Sequence, residues 1–202
     1  VRARCLHTLR VFDMKNSERL FFVALLPPKL IQNQITEIKQ YFAQTYNSCH
    51  ALKSPPHITL QPPFQWLTED LPTLEQYLTT FAINHTPIPI TLSGFNAFPP
   101  RVIFVDVIKT PELINLQQQL INNLAQQLNI VHEVSKKRPF SPHVTVAFKD
   151  LSRIAFKAAW LEFAQRPIYF EFTVSQLTLL IHNGQTWNIK TEFPFLNLDS
   201  RL

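Results

Sequence analysis

Glycine is almost missing from this chain: its 202 residues contain two, against sixteen prolines. Phosphate loops of the Walker, dinucleotide-binding and kinase types need several glycines close together, because only glycine lets the backbone approach a phosphate in those conformations. Those nucleotide sites are excluded. Charge is scarce too, at 16% of residues, and the net value of +5 permits a phosphate or nucleic-acid partner without suggesting a coat for long duplexes. No run reaches the roughly 18 apolar residues of a membrane-spanning helix. Two cysteines, Cys5 and Cys49, do not read as a disulfide framework, so a reduced cytoplasmic protein with no membrane partner is expected.

Apolar residues are plentiful, at 46% with seventeen phenylalanines, which favours a packed core over a disordered chain. Residues 1–13 stand apart: three arginines, no clear periodicity, and no apolar run of the signal-peptide kind. They read as a loose N-terminal extension, the alternative being that Met14 is the natural start, which leaves residues 14–202 as one bilobal domain. Leu20–Leu26 reads as a buried strand, and Ile31, Ile35, Ile38 and Phe42 recur at helical spacing after it. Short strands are expected at 57–60, 87–92, 101–107 and 142–148, with residues 61–67 as a loop and Gly94 separating two strands. Thr110-Pro111 opens the clearest helix, with Leu113, Leu116, Leu120, Leu124 and Leu128 along one face. Further helices are expected around 74–81 and 150–165. Two strands, 169–181 and 185–193, join at Asn183-Gly184, a hairpin signal. Hairpins and short connections make the class α+β with antiparallel sheets.

Two segments match each other: Pro56-His57-Ile58-Thr59-Leu60 and Pro142-His143-Val144-Thr145-Val146. On a strand, alternate residues share a face, so each His and Thr point one way while the apolar pair points to a core. One His-x-Thr is ordinary on a strand surface. Two copies, each behind a proline and after a helix, indicate an internal duplication with one strand per lobe. Two histidines facing across a cleft can serve as general base and general acid, since imidazole titrates near neutrality. The threonine hydroxyls beside them can hold an anionic oxygen. In-line displacement at phosphorus needs that arrangement. Neither segment contains a His-x-His pair, a His-Glu-x-x-His pair or a carboxylate, so no metal and no cofactor is expected.

The paired segments resemble the signature motifs of the 2H phosphoesterase superfamily, and within it the LigT-like branch of 2′-5′ RNA ligases and RNA 2′,3′-cyclic phosphodiesterases. The resemblance runs from about residue 19 to about residue 195. It implies a bilobal α+β fold with pseudo-twofold symmetry and both motifs on a central groove. It also implies metal-independent hydrolysis of a 2′,3′-cyclic phosphodiester to a 2′-phosphate, with His57 and His143 as the acid/base pair and Thr59 and Thr145 on the phosphate. Which histidine plays which role stays open. Where LigT proteins often follow the second motif with Ala-Arg, this chain has Ala147-Phe148 and then Lys149.

Further residues near the motifs are candidates for substrate binding. Lys136, Lys137 and Arg138 precede the second motif, Lys53 and Lys149 flank the pair, and Arg101 starts a strand that could reach the groove. Phe64, Trp66, Phe140 and Phe148 could stack on a base. His7, His50, His85, His132 and His182 have no comparable context. The expected substrate is an RNA end or a small cyclic nucleotide, handled by a monomer. The alternatives are 2′-5′ ligation in the same site and a non-catalytic RNA-end-binding module.

Overall fold

In the computed structural model, which describes residues 17–131 and 139–196, the chain builds one unit twice. The first unit runs from β1 (Glu18–Leu25) through α1 (Lys29–Tyr46) and a short 3-10 helix (His50–Lys53) to β2 (Ile58–Leu67) and α2 (Leu71–Ala82). After β3 (Ile88–Phe98), the second runs from β4 (Val102–Val107) through α3 (Pro111–Leu128) to β5 (His143–Ala147) and α4 (Arg153–Phe163). Strands β6 (Tyr169–Val174), β7 (Gln176–His182) and β8 (Trp187–Pro194) follow. Both long helices stop on an asparagine, Asn47 and Asn129, with left-handed φ of 55° and 53°. Asparagine tolerates that conformation, and it fills the left-handed terminal position that glycine more commonly takes. At the start of α3, the Thr110 hydroxyl accepts from the Leu113 N–H at 3.3 Å, and Pro111 takes the first turn.

The strands form two four-stranded antiparallel sheets, ordered β2-β1-β7-β8 and β5-β4-β3-β6. This is the expected α+β class. Each His-x-Thr strand lies at the edge of its sheet, beside the first strand of its own unit. The helices cross over: α1 packs against β5, and α3 packs against β2. Through that crossing the Gln117 side-chain amide of α3 donates to the Leu60 carbonyl of β2 at 3.3 Å. One continuous apolar core, including Phe21, Ile35, Phe42, Ile58, Leu120, Val144 and Phe163, joins both units. Among the described residues, no helix is long and apolar enough to cross a membrane.

Three expectations are corrected. Residues 61–67 continue β2 rather than forming a loop. Pro62 and Pro63 fit there because β2 is an edge strand, and the register slips between the Phe21–Phe64 and Val23–Gln61 pairs to absorb an extra residue. Gly94 does not end a strand: with φ of 74° it lies inside β3, where the register with β4 shifts between Leu92 and Phe95. Residues 169–181 are two strands, because the chain leaves one sheet after Val174 and enters the other at Gln176. Residues 1–13, with Cys5, lie outside the described residues.

Candidate functional site

The two motif histidines are held by the same local bond. His57 donates from Nδ1 to the Pro55 carbonyl at 2.6 Å, and His143 donates from Nδ1 to the Ser141 carbonyl at 2.7 Å. A carbonyl only accepts, so both rings carry their proton on Nδ1 when neutral, which leaves Nε2 with a free lone pair. In each copy the acceptor lies two residues upstream in a proline-containing approach. The repeated Pro-His therefore sets the ring orientation as well as the strand start.

His57, Thr59, His143 and Thr145 all line one cleft of about 680 Å³. The alternation read from the sequence is observed: Ile58, Leu60, Val144 and Val146 are buried in the core, while both His/Thr pairs are partly exposed to the cleft. Aromatic rings back both histidines. Phe22 packs on His57 with centroids 4.7 Å apart and meets Trp187 edge-on at 4.6 Å. Trp187 in turn meets His182 at 4.9 Å, and Phe98 and Phe104 pack on His143 at 5.3 and 4.8 Å. Beyond Thr59 and His143 the groove continues into a second hollow bordered by Pro62, Phe140, Ser141 and Gln117.

Burial lowers both imidazoles and treats them unequally. His57 is taken down to about 4, first by desolvation, with Lys39 and His143 adding to the fall and the bond to Pro55 opposing it. His143 is also lowered by desolvation, but its bond to Ser141 and the Asp106 carboxylate both pull it back. Asp106 lies directly across the β4–β5 ladder from His143. A third histidine, His50, is lowered by burial and by the nearby charges of Lys149 and Lys53. Asp150 fixes that corner: its carboxylate accepts from the Ser48 hydroxyl at 2.9 Å and from the Cys49 and His50 backbone N–H groups at 2.8 Å each. Among the described residues, no three His, Cys, Asp or Glu side chains are grouped to hold a metal ion.

The remaining candidates divide. Phe148 and Lys149 line the cleft together. Neighbours on a continuing strand would face opposite ways, but β5 ends at Ala147 and Lys149 takes a φ of 65°, which turns the chain. Phe140 is partly buried on the core and borders the second hollow. Phe64 is corrected: it is 8% exposed, packs 6.3 Å from Phe21 in the core, and is not offered to substrate. Trp66 likewise packs on the core. Arg101 is exposed in the turn before β4, and the lining residues on either side of it are Phe98 and Val102. Arg138, with Lys136 and Lys137, lies outside the described residues. Sequence reasoning missed Asp106, Phe22, Trp187, His50 and His182. For Asp106 a signal existed, a lone acid in the apolar run Val102–Val107; the others needed the sheet order.

Known proteins resemble this chain in sequence and in fold. "Putative phosphoesterase GK0864" of Geobacillus kaustophilus is 30% identical over 176 residues, covering 85% of this chain and 93% of the relative. "Putative phosphoesterase Bcer98_0945" of Bacillus cytotoxicus is 29% identical over 174 residues, covering 85% and 94%. The fold is similar to that of E. coli LigT complexed with 3′-AMP, with a TM-score of 0.65, 18% identity, and coverage of 90% of this chain and 100% of that one. It is also similar to TT0787 of Thermus thermophilus, with a TM-score of 0.64, 20% identity, and coverage of 89% and 99%. The profile of the 2′-5′ RNA ligase superfamily matches residues 27–186, a span that holds both His-x-Thr strands and the helices that cross between them. The chain belongs to the 2′-5′ RNA ligase superfamily.

Proposed function

We propose that the protein is a metal-independent phosphodiesterase that opens a 2′,3′-cyclic phosphate on a nucleotide or RNA end, leaving a 2′-phosphate. The observation that carries this reading is the matched pair of Nδ1 bonds, to Pro55 and Ser141, on two histidines lining one cleft. Each Nε2 is then free for proton transfer: a neutral ring accepts a proton from the attacking water, and a charged ring donates one to the leaving ribose oxygen. The asymmetry in charge supports His57 as base, since burial and Lys39 keep it neutral, and His143 as acid, since Asp106 favours its charged form. Thr59 and Thr145 offer hydroxyls to the phosphoryl oxygens, a function that scarce glycine denies to a backbone loop. Attack of water forms one P–O bond and breaks the P–O3′ bond, and the proton taken by one imidazole is balanced by the proton given by the other. The ring of Trp187, which lines the cleft and is partly exposed, offers a face for a base. The 3′-AMP bound to E. coli LigT supports a nucleotide substrate.

The test is product analysis. Nucleoside 2′,3′-cyclic monophosphates and cyclic-ended oligoribonucleotides are incubated with the protein in EDTA, and the products are separated by chromatography. The reading expects 2′-phosphate product at an undiminished rate. Turnover that requires an added divalent ion, or no turnover of any cyclic substrate, overturns it.

A further inference from the structure

A lysine stands where the core face of α1 calls for an apolar residue. Ile31, Ile35 and Phe42 form that face, and Lys39 lies among them at 2% exposure. A buried ammonium is costly unless it is paired with a carboxylate. Lys39 instead donates from Nζ to one backbone carbonyl, that of Ser54, at 3.1 Å. Desolvation takes its pKa down to about 7. Such an expense in stability calls for a return elsewhere.

What Lys39 holds is the approach to His57. Ser54 lines the cleft, and Pro55 and Pro56 follow it. Two consecutive prolines fix their own φ and restrict the residue ahead of each, so the Ser54 and Pro55 carbonyls move as one stiff segment. The Pro55 carbonyl accepts the Nδ1 proton of His57. On the far side of the motif, Gln117 clamps the Leu60 carbonyl. The charged and titratable groups that act on His57 are Lys39 from α1 and His143 from β5, both opposing its protonation. Lys149 and Lys53 act on His50 at the rim of the cleft.

We propose that Lys39 is a positioning residue for His57. Its hydrogen bond to the Ser54 carbonyl holds the stiff segment whose next carbonyl, that of Pro55, orients the ring, and its ammonium adds to the burial that opposes protonation of the imidazole. The inference rests on the two-histidine reading for its catalytic consequence but not for its physical content. Among the described residues Lys39 is the buried lysine, and its place behind His57 gives a duplicated site its direction.

The experiment is an NMR titration of the His57 ring in the wild-type chain, K39M and K39R, with kcat/KM measured against pH on a nucleoside 2′,3′-cyclic phosphate. Methionine fits an apolar face, and a melting curve checks that each variant folds. In K39M the His57 midpoint is expected to rise by about half a unit or more, and the acidic limb of kcat/KM to move up with it, so that activity at pH 5 falls relative to pH 7. K39R, which keeps the charge, is expected to stay near the wild-type midpoint. A folded K39M with an unshifted His57 midpoint overturns the proposal. A shifted midpoint without turnover of any cyclic substrate upholds the coupling and overturns the hydrolytic reading, so the two failures are told apart.

Discussion

Asp106 and His143 face each other across the β4–β5 ladder, and among the described residues no carboxylate acts on His57 in the corresponding way. Residues directly opposite on antiparallel strands share a face of the sheet. Asp106 is itself braced, accepting from the Asn96 amide at 3.2 Å and the Val107 N–H at 3.0 Å. A symmetric repeat thus carries an asymmetric charge: an acid beside one imidazole, a buried lysine behind the other.

Replacing Asp106 by Asn removes the charge that favours the protonated form of His143, so its pKa falls further. The basic limb of kcat/KM, where the acid loses its proton, is then expected to move to lower pH. Activity at pH 7.5 is expected to fall about tenfold, equivalent to a shift of roughly one unit. A pH profile with an unmoved basic limb contradicts this role.

The assignment of base and acid has its own test. A substrate with bridging sulfur at the leaving 3′ position needs little protonation of the leaving group. His143→Ala is expected to recover most of its rate on that substrate, while His57→Ala is expected to stay impaired. Rescue of the His57 variant alone would reverse the roles.

Stability should depend on pH through Lys39 and His57. Lys39 titrates at about 7 in the folded chain and near 10.4 unfolded, so the unfolded state holds the extra proton between those values. The penalty is full below pH 7 and is relieved as pH rises towards 10. K39M is therefore expected to melt higher than wild type at pH 6, with the gap closing in alkali; at about 1.4 kcal/mol per unit, the gap is a few kcal/mol at most. His57, lowered to about 4, costs stability as pH falls below 6.5, and His57→Gln should soften acid unfolding. Melting curves at four pH values check both signs.

Asp150 ties the segment ahead of the first motif to the segment behind the second, through Ser48, Cys49 and His50. Its bonds are charge-assisted, and Ser48 is fully buried. Asp150→Ala is expected to cost about 1–3 kcal/mol in denaturant unfolding and to raise KM more than it lowers kcat, since it disorders the corner of His50, Lys53 and Lys149. An unchanged midpoint contradicts the clamp.

Much of this was legible in the chain, and for physical reasons. Alternation placed the His57/Thr59 and His143/Thr145 pairs on the open face because Ile58, Leu60, Val144 and Val146 have nowhere else to go but the core. Thr110-Pro111 and the leucine stripe marked α3 because capping and periodicity agree there. What failed was whatever depended on neighbours. Pro62 and Pro63 suggest a loop until β2 is known to be an edge strand, and the run 169–181 has no internal sign that it changes sheets at Ser175. Asp106 was passed over because its partner lies 37 positions away, across a ladder that only the fold supplies. Lys39 was not legible, because Ile38 continues the apolar spacing of α1 and only the packing puts Lys39 inside.

In the proposed reaction His57 and His143 act as one proton-transfer pair. The most direct measurement is kcat/KM on a nucleoside 2′,3′-cyclic phosphate for His57→Ala, His143→Ala and the double variant, each checked for folding by melting. The account predicts that each single variant loses roughly 10³-fold or more, and that the double variant loses little beyond that. A single variant that keeps most of its activity, or losses that multiply in full, would contradict it.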